Sequence, residues 1–488
     1  MSDASKRRSV GTAVLVAATL VVLLVVVYWF VNRTPSPSDG PATSGSPASK
    51  FGIRNVLLIS IDTCRADYLS CYDYGRETTA NIDAVAAEAV LFENVISPVP
   101  ISLPAHCTML TGVNPPYHGI HDNSQYQLAP FHTTLAEIAG SHGLATGAVV
   151  GAVVLNNQFG LNQGFDTYDD RFENEFSPID IPERRADEVS RHAIDWLDRH
   201  QSEPFFLFVH YYDPHQTYDP PQPYKSRFAG DDRSLYAGEI AYTDEHVGRL
   251  IDRLKQLSLY DSTLIIITSD HGEMLGEHKE SAHTFFVYQS AIKVPLIIRV
   301  PGREQPRRIN GLVGLVDIVP TVCGLMAMDA PPQVHGLDLS EELGAAQAPQ
   351  RDRRLYCESL TPTKYDGAAL LGIVTDRWKY IHTTRPELYD LRADPLEEHN
   401  RIADRPDDAR PLHDQLQQYL NQWHRDDDAS RLPLDQATID QLGALGYVGG
   451  SVTENFDLDS ARDHEDPKDL IEFYELHSDL YLLVKQKR

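Results

Sequence analysis

Short apolar runs alternate with amphipathic stretches over most of this 488-residue chain. That alternation is typical of a mostly parallel β-sheet with helices on both faces. The predicted strands are residues 55–61, 145–150, 205–209, 264–269 and 295–300. Helical spacing of apolar residues predicts helices over residues 186–200 and 236–257. The pattern therefore predicts an α/β fold built around one large sheet.

After about residue 350 the apolar runs become shorter and β-like, over residues 354–358, 369–375 and 378–382, and a helix is predicted over 408–424. We therefore assign residues 51–350 to a large α/β domain and residues 351–450 to a smaller C-terminal α+β subdomain. An acidic linker and a C-terminal helix are expected over residues 451–488. That helix is either a packing helix or the start of a helical repeat, and it is a candidate site for a protein partner.

The first fifty residues differ from the rest in charge and hydropathy. They hold five basic and two acidic residues, and residues 10–31 carry no charge. About 20 apolar residues are enough to cross a bilayer core as a helix, whereas the apolar region of a cleavable signal peptide is usually about 7 to 15 residues long. Three basic residues precede this run and only one closely follows it. We therefore predict a single-pass transmembrane helix over 10–31, a cytoplasmic N-terminus over 1–9, and a Pro/Ser/Gly linker over 32–50 that leads to an exported body, periplasmic or extracellular.

The whole chain has a formal charge of −27, and the exported part is more acidic still. Binding to the phosphate backbone requires a concentrated basic face, so nucleic acid is excluded as a partner. The five cysteines form no CxxC pair and are too sparse for a disulfide framework or a thiolate zinc site. Buried structural thiols are the expected role for all five.

Three of the predicted strands end in clusters of polar residues. Asp62 follows the first strand, Asp270 and His271 follow the fourth, and the third leads into a cluster that includes His215. Open α/β sheets bind their ligands beyond the carboxyl ends of the strands, so these side chains are expected to converge on a divalent metal. A single Asp after a strand is more often a turn residue or a helix cap. The adjacent pair Asp270 and His271, followed by a glycine, favours a site.

Ser102 lies in the segment PISLPAHCTMLTG, between two prolines. A short helix is predicted over residues 103–111, so Ser102 falls near a helix N-terminus, where backbone N–H groups favour an anion. A hydroxyl at such a position is either an N-cap or a nucleophile. The position alone favours the cap.

Five motifs in this order resemble those of the sulfatase family of the alkaline phosphatase superfamily, over roughly residues 53–450. They are NVLLISIDTCRADYLSCY, SLPAHCTMLTG, DPHQTY, TSDHGEMLGEH and KYIHTTRPELYDLRADPLEEHN. The resemblance implies an alkaline-phosphatase-like three-layer α/β/α sandwich and a sulfatase-like ester hydrolase. It also implies that Asp62, Ser102, Asp270 and His271 bind one divalent ion, which is Ca, Mg, Mn or Zn, and that Ser102 is the nucleophile.

The resemblance further implies which residues contact the substrate. Asn123, His215 and His283 match positions that contact substrate oxygens in relatives similar to phosphonate monoester hydrolases. His215 and His283 are also candidate catalytic residues, because an imidazole can protonate a leaving oxygen or stabilise developing charge. Without the resemblance, the three residues would be interpreted as a turn asparagine, a hydrogen-bonded interface histidine and a surface histidine.

The chain departs from the sulfatase pattern in its nucleophile motif. The family converts the first residue of a C/S-x-P-S/A-R motif to formylglycine, and here His106 replaces the arginine. We therefore expect Ser102 to stay unmodified. Thr63 replaces the second Asp of the usual pair, His271 replaces a frequent Asn, and no Lys-x-His pair is visible in VVGAVVLNNQFG. These changes resemble phosphodiesterase-like and phosphotransferase-like branches, in which a plain Ser or Thr forms a phosphorylated intermediate that water can attack.

Three functions follow as hypotheses. The first is a membrane-anchored, exported hydrolase of sulfuric esters, phosphoric esters or phosphonates, acting on a small anionic ester or on a glycan or lipid. The second is an envelope phosphoryl-group transferase, similar to lipoteichoic acid synthase or phosphoethanolamine transferase, because an acceptor hydroxyl can replace water. The third is a catalytically inactive binding protein. The complete set of Asp62, Ser102, Asp270 and His271 argues against the third.

Overall fold

The computed structural model of the chain describes residues 51–172, 183–303, 306–344, 351–425, 431–432 and 450–486. The predicted transmembrane helix over 10–31 and the linker over 32–50 lie outside these residues. Among the helices that are described, none is both long enough and apolar enough to cross a bilayer. The membrane anchor therefore stays a prediction from the sequence.

An eight-stranded mixed sheet forms the centre of the large domain. Its strands are β1 Asn55–Ile61, β2 Val90–Ile96, β3 Ala145–Val149, β4 Thr167–Asp169, β5 Phe205–Tyr211, β6 Thr263–Thr268, β7 Lys293–Arg299 and β8 Arg307–Gly314. They pair in the order β4-β3-β5-β1-β6-β7-β2-β8. Strand β7 runs antiparallel to both of its neighbours, and the other pairs in the sheet are parallel. The predicted mostly parallel α/β sheet is thus confirmed.

Helices cover both faces of this sheet. Those of the large domain are α1 Ala80–Ala86, α2 Ser102–Thr111, α3 Pro115–His118, α4 Leu135–Ser141, α5 Ala186–His200, α6 Tyr224–Arg227, α7 Asp232–Gln256, α8 Gln289–Ile292, α9 Ile318–Met326 and α10 Ser340–Gly344. Alternate residues of β1 point to opposite faces, so Val56 and Leu58 join one apolar cluster with α2, α4 and α9, while Leu57 and Ile59 join another with α1, α5 and α7. The result is a three-layer sandwich with β1 near its middle.

The C-terminal subdomain is built on a four-stranded antiparallel sheet. Its strands are β9 Leu355–Ser359, β10 Leu370–Val374, β11 Trp378–His382 and β12 Glu387–Asp390, and its helices are α11 Pro406–Trp423 and α12 Pro467–Gln486. Before α12, the side chains of Val452, Phe456 and Leu458 are buried. A third apolar cluster joins residues 274 and 285–288, which follow β6, to this sheet and to α12. The C-terminal subdomain therefore supports a loop of the large domain from outside.

The five cysteines all lie in the described part of the chain and are free thiols. Four are buried, whereas Cys71 is half-buried. Buried structural thiols are therefore the observed state for all but one of them.

Candidate active site

The residues that follow β1 and β6 meet at one edge of the sheet, because these strands are parallel neighbours. The Nε2 atom of His271 lies 3.4 Å from Asp270 Oδ2, 3.9 Å from Asp62 Oδ1 and 3.3 Å from Ser102 Oγ. All four side chains are fully buried. The structure thus brings together the four residues that were predicted from the sequence to be metal ligands.

Unusual backbone conformations at the two strand ends make this approach possible. Thr63 has a φ of 54°, which is rare for a β-branched residue, and its N–H donates to Asp270 Oδ1 at 3.1 Å. The hydroxyl of Tyr236 donates to the Thr63 carbonyl at 2.7 Å and holds that turn. On the other side, a Cβ atom at Gly272 would lie 2.2 Å from the Ser290 carbonyl oxygen, so only glycine fits there.

Each of the two carboxylates is oriented through one of its oxygens. Asp62 Oδ2 accepts a hydrogen bond from His210 Nε2 at 3.2 Å, and Asp270 Oδ1 also accepts the N–H of His271 at 2.8 Å. The other two oxygens, Asp62 Oδ1 and Asp270 Oδ2, have no hydrogen-bond partner among the residues the structure describes. Buried carboxylate oxygens are costly unless a donor or a cation compensates them.

The ring of His271 adds a third acceptor at the same place. Its Nδ1–H donates to the Gly272 carbonyl at 3.0 Å, so Nε2 is the nitrogen that faces Asp62 and Asp270 and that would offer its lone pair to a bound ion. Acceptors that converge in this way repel one another unless a cation lies between them. Two ligands of a divalent ion, with bond lengths of about 2.0 to 2.4 Å, lie about 3 to 4 Å apart. The donor set therefore fits such an ion.

The charges of this cluster act on one another. Burial raises the pKa of Asp62 well above its ordinary range, and the neighbouring Asp270 carboxylate raises it further. Burial also opposes ionisation of Asp270, but interactions with His271, His106 and His210 outweigh it and lower the pKa of Asp270 to about 2. The anionic form of Asp270 is thus favoured, whereas burial and the charge of Asp270 disfavour the anionic form of Asp62.

Ser102 is the first residue of α2, one position earlier than the predicted start of the helix. The N-cap is Ile101, which has extended backbone and whose own side chain forms no capping hydrogen bond. The interpretation of Ser102 as an N-cap is therefore wrong. Its hydroxyl instead contacts His271 Nε2, in front of the first turn of the helix.

His106 and His210 lie behind this cluster and, with Asp270, form a second group of residues close enough to hold an ion. His106 Nδ1 donates to the Ser102 carbonyl at 2.7 Å, and its Nε2 accepts from the Ser60 hydroxyl at 3.0 Å. His210 Nδ1 accepts the Gly151 N–H at 3.3 Å, while its Nε2 donates to Asp62. All four ring nitrogens have protein partners. We therefore interpret these histidines as groups that orient the serine and the carboxylate rather than as a second metal site.

Asn123 presents an amide next to the serine. Its Oδ1 accepts the Leu103 N–H, in the first turn of α2, at 2.8 Å. Its Nδ2 is buried and has no partner within the described ranges. This geometry leaves the two amide hydrogens for a ligand.

His283 and His215 continue the row of imidazoles that begins with His271. The ring centroid of His283 is 4.6 Å from that of His271 and 5.0 Å from that of His215. His283 Nδ1 is 2.9 Å from Glu273 Oε1, and the His283 side chain is only 4% exposed, so its interpretation as a surface histidine is wrong. His215 Nε2 has no partner in the part of the chain that the structure describes.

The two outer histidines are neutral groups. Burial, helped by the nearby His283, lowers the pKa of His215 to about 3, and burial lowers the pKa of His283 to about 4. Burial also raises the pKa of Glu273 to about 7. Sequence reasoning missed Glu273 as a site residue, although its carboxyl group three positions after Asp270, in the segment SDHGE, was a usable signal.

Two cationic side chains beside the site form ion pairs with carboxylates. Arg65 donates to the Glu273 carbonyl at 3.0 Å and forms ion pairs with Asp67 and Glu277 at 2.8 and 3.0 Å. Lys364 forms a buried ion pair with Asp122 at 2.7 Å, next to Asn123 in the chain. The groups left to meet a ligand here are neutral amides and imidazoles.

Comparison with known proteins gives evidence about the family of this chain that does not depend on the geometry of the site. The Sulfatase family model matches residues 54–328, more than half of the chain, and the model described as N-sulphoglucosamine sulphohydrolase, C-terminal, matches residues 276–426. The uncharacterized sulfatase YidJ of Escherichia coli K12 is 27% identical over 444 residues, which cover 75% of this chain and 87% of that protein. The ulvan-active sulfatase of Formosa agariphila is 26% identical over 402 residues, which cover 72% and 77%.

Solved structures have the same fold. The phosphonate monoester hydrolase of Agrobacterium radiobacter superimposes with a TM-score of 0.64 at 23% identity, over 78% of this chain and all of that one. At that level of identity the likeness is one of fold.

Proposed function

The chain belongs to the sulfatase family, and from that premise we propose that it is a metal-dependent hydrolase of sulfuric esters, phosphoric esters or phosphonates, with Ser102 as the nucleophile. The observation that carries this proposal is the position of the Ser102 hydroxyl. It lies 3.3 Å from His271 Nε2. That nitrogen in turn faces two carboxylate oxygens that have no partner among the described residues.

The ligands of the proposed ion would be Asp62, Ser102, Asp270 and His271. When bound, a divalent ion lowers the pKa of a coordinated hydroxyl and neutralises charge on a non-bridging oxygen. The convergence of three acceptors on one space supports this role. Carboxylate ligands favour Ca, Mg or Mn, whereas the imidazole also admits Zn.

The protein groups have separate tasks in the proposed reaction. Ser102 Oγ attacks the sulfur or phosphorus atom in line, and the bond to the leaving oxygen breaks as the new bond to Oγ forms. Asn123 Nδ2 donates to a non-bridging oxygen, as donors in oxyanion holes do. Burial keeps both rings neutral, so His215 or His283 must first accept a proton, such as the one that Ser102 loses, before it delivers a proton to the leaving oxygen. Water then attacks the covalent intermediate and releases Ser102.

We further propose that the favoured substrates carry one negative charge at the reacting group. The donors that face the site are neutral, and Arg65 and Lys364 are neutralised by carboxylates. Neither of these two cationic side chains is therefore left to neutralise a second negative charge on the ester. Phosphodiesters and phosphonate monoesters suit an unmodified serine, because water can attack a phosphorylated serine more readily than it can discharge a sulfated one.

Two features outside the active site remain proposals as well. The charge-free run over residues 10–31 supports a location at the outer face of a membrane. On α12, the side chains of Phe473, Leu476 and Leu480 are 58%, 65% and 58% exposed, which supports a protein partner for that helix.

The test is a comparison of nitrophenyl esters of four kinds: a sulfate, a phosphate monoester, a phosphodiester and a phosphonate monoester. The full-length protein is treated with a chelator and then assayed with each divalent ion added back. We expect the ion to restore turnover and the phosphodiester or phosphonate to exceed the phosphate monoester in kcat/KM. Turnover that persists in Ser102→Ala would overturn the nucleophile. A mass difference at Ser102 consistent with formylglycine would overturn the unmodified serine.

A further inference from the structure

The loop that carries His283 contains a strained residue. Thr284, directly after His283, has a φ of 92°, a conformation that a β-branched residue adopts only when its surroundings impose it. Thr284 is nevertheless buried, at 8% exposure. Something must therefore hold the chain in this conformation.

Part of the restraint comes from within the large domain and from β9. Both carboxylate oxygens of Glu280 accept backbone N–H groups, from Phe285 at 2.9 Å and Phe286 at 3.0 Å. The hydroxyl of Ser359, the last residue of β9, donates to the Thr284 carbonyl at 2.5 Å. These bonds fix the C-terminal side of the loop, after His283.

The C-terminal helix α12 supplies the rest. The buried hydroxyl of Tyr474 donates to the His283 carbonyl at 3.3 Å and accepts from Thr284 Oγ1 at 3.0 Å. The Tyr474 ring packs on Phe285 with a centroid separation of 4.7 Å. One residue later, the carboxylate of Glu475 accepts both the N–H of Ser281, at 3.1 Å, and its hydroxyl. The helix therefore contacts the loop on both sides of His283.

This helix lies beyond the part of the chain that the family accounts for. The two matching family models end at residues 328 and 426, whereas α12 begins at Pro467. The contacts with the His283 loop therefore come from a helix that neither family model includes.

We propose that α12 is a positioning element of the active site, in which Tyr474 keeps Thr284 in its strained conformation so that His283 stays beside His271. The inference rests on the proposed function, because it assigns His283 to the reaction. Tyr474 does not touch the reacting atoms. It acts through the loop, and its contribution must disappear when His283 is absent.

The experiment measures kcat/KM for the best nitrophenyl ester in full-length Tyr474→Phe, which removes one hydroxyl and keeps the ring. We expect about a tenfold loss, the size of a typical net hydrogen-bond contribution. The matched control is Tyr365→Phe. The Tyr365 hydroxyl also contacts α12, at His477 Nδ1 and 3.2 Å, but forms no hydrogen bond with the 279–286 loop in the described structure. We expect it to stay within twofold of the parent protein.

Two further backgrounds separate positioning from general damage. In His283→Ala, adding Tyr474→Phe should change kcat/KM by less than twofold, because the group being positioned is gone. Adding Thr284→Gly to Tyr474→Phe should recover most of the loss, since glycine adopts a φ of 92° without strain. If Tyr474→Phe proves too unstable to assay, Glu475→Ala tests the same contact from the adjacent residue, with a smaller loss expected.

The outcomes are distinguishable. Full activity in Tyr474→Phe, or an undiminished effect of that change in the His283→Ala background, overturns the positioning role and leaves the proposed function intact. Full activity in His283→Ala overturns the role of His283 in the proposed function, and the inference falls with it. A tenfold loss that depends on His283 and is recovered by Thr284→Gly supports both.

Discussion

Asn123 offers the sharpest test of how the site binds its substrate, because its two amide atoms have different tasks. Oδ1 accepts the Leu103 N–H at 2.8 Å and so stabilises the first turn of α2. Nδ2 has no partner among the described residues and is the proposed donor to the ester. Two substitutions at this position therefore separate structure from catalysis.

Asn123→Ala removes both atoms. It leaves the Leu103 N–H buried without an acceptor, which costs about 1 to 3 kcal/mol of folding free energy. Asn123→Asp keeps an acceptor for that N–H, but the position is fully buried, so the new carboxylate adds a desolvation cost that disappears when it is protonated. We therefore expect Asn123→Asp to approach the parent protein in stability at acidic pH, and Asn123→Ala to be weaker than the parent protein throughout.

The catalytic effects should run in the opposite order. Loss of one preorganised donor to a developing anion lowers kcat by about 100- to 1000-fold. Both variants lose that donor, and Asn123→Asp adds an oxygen that repels the anionic ester. The assay is kcat/KM with the preferred nitrophenyl ester, beside urea unfolding of each variant. If Asn123→Asp retains more than a tenth of the parent kcat/KM, or Asn123→Ala unfolds at the same urea concentration as the parent protein, the assignment of the two amide atoms is wrong.

Three other predictions concern the nucleophile, the metal ion and a buried ion pair. Ser102→Ala should abolish turnover while unfolding at nearly the parent urea concentration, which kinetics and denaturation together will check. Chelation should lower both activity and melting temperature, and addition of a divalent ion should restore both, because the ion relieves the repulsion between Asp62 and Asp270. Glu358→Gln should destabilise the fold by about 3 to 5 kcal/mol at pH 6, because it removes the negative charge that faces buried His121 at 2.6 Å. Burial alone would lower the pKa of His121, but Glu358 outweighs burial and raises it. The stabilisation is therefore complete below the unfolded-state pKa of about 6.5 and is lost as the pH rises through the higher folded-state pKa, so the cost measured by urea unfolding should shrink at alkaline pH.

The centre of the sheet and the edge that holds the site were predictable from sequence, because short continuous segments of the chain contain both the strands and the site residues. Strand β1 is a buried run that is apolar except for Asn55 and Ser60, and Asp62 follows it at once. The same is true of β6 and the pair Asp270 and His271, one residue further on. Parallel pairing then brings the two ends together without further information.

The last two strands at the β8 end of the sheet were not predictable in this way. Strand β2 carries Glu93 and Asn94 within its run, and β8 begins with two arginines and contains two glycines. Neither has the composition of a buried strand. They form because each pairs with the other and β2 also pairs with β7, which are contacts between segments about 200 residues apart.

The supporting groups of the site show the same division. His106 could be seen to replace an arginine, but its hydrogen bonds to Ser60 and to the Ser102 carbonyl depend on the packing of α2 against β1. Tyr474 and Thr284 are 190 residues apart in the sequence, and no local pattern around either residue predicts their contact. Sequence motifs identify groups that do chemistry, whereas the groups that hold them are selected by tertiary contacts.

The charge of the chain bears on which substrates such a site can use. A chain of formal charge −27 repels an anionic ester, although salt screens that repulsion beyond roughly 10 Å. Close to Ser102, the amide of Asn123 can donate to an ester oxygen, and the imidazoles of His215 and His283 are polar groups without charge. Neutral donors offset the desolvation of a single charge far better than that of two, since the cost of removing an ion from water rises steeply with its charge. An acidic protein with this set of donors is therefore expected to discriminate most strongly against dianionic esters, and to do so more at low ionic strength than at high.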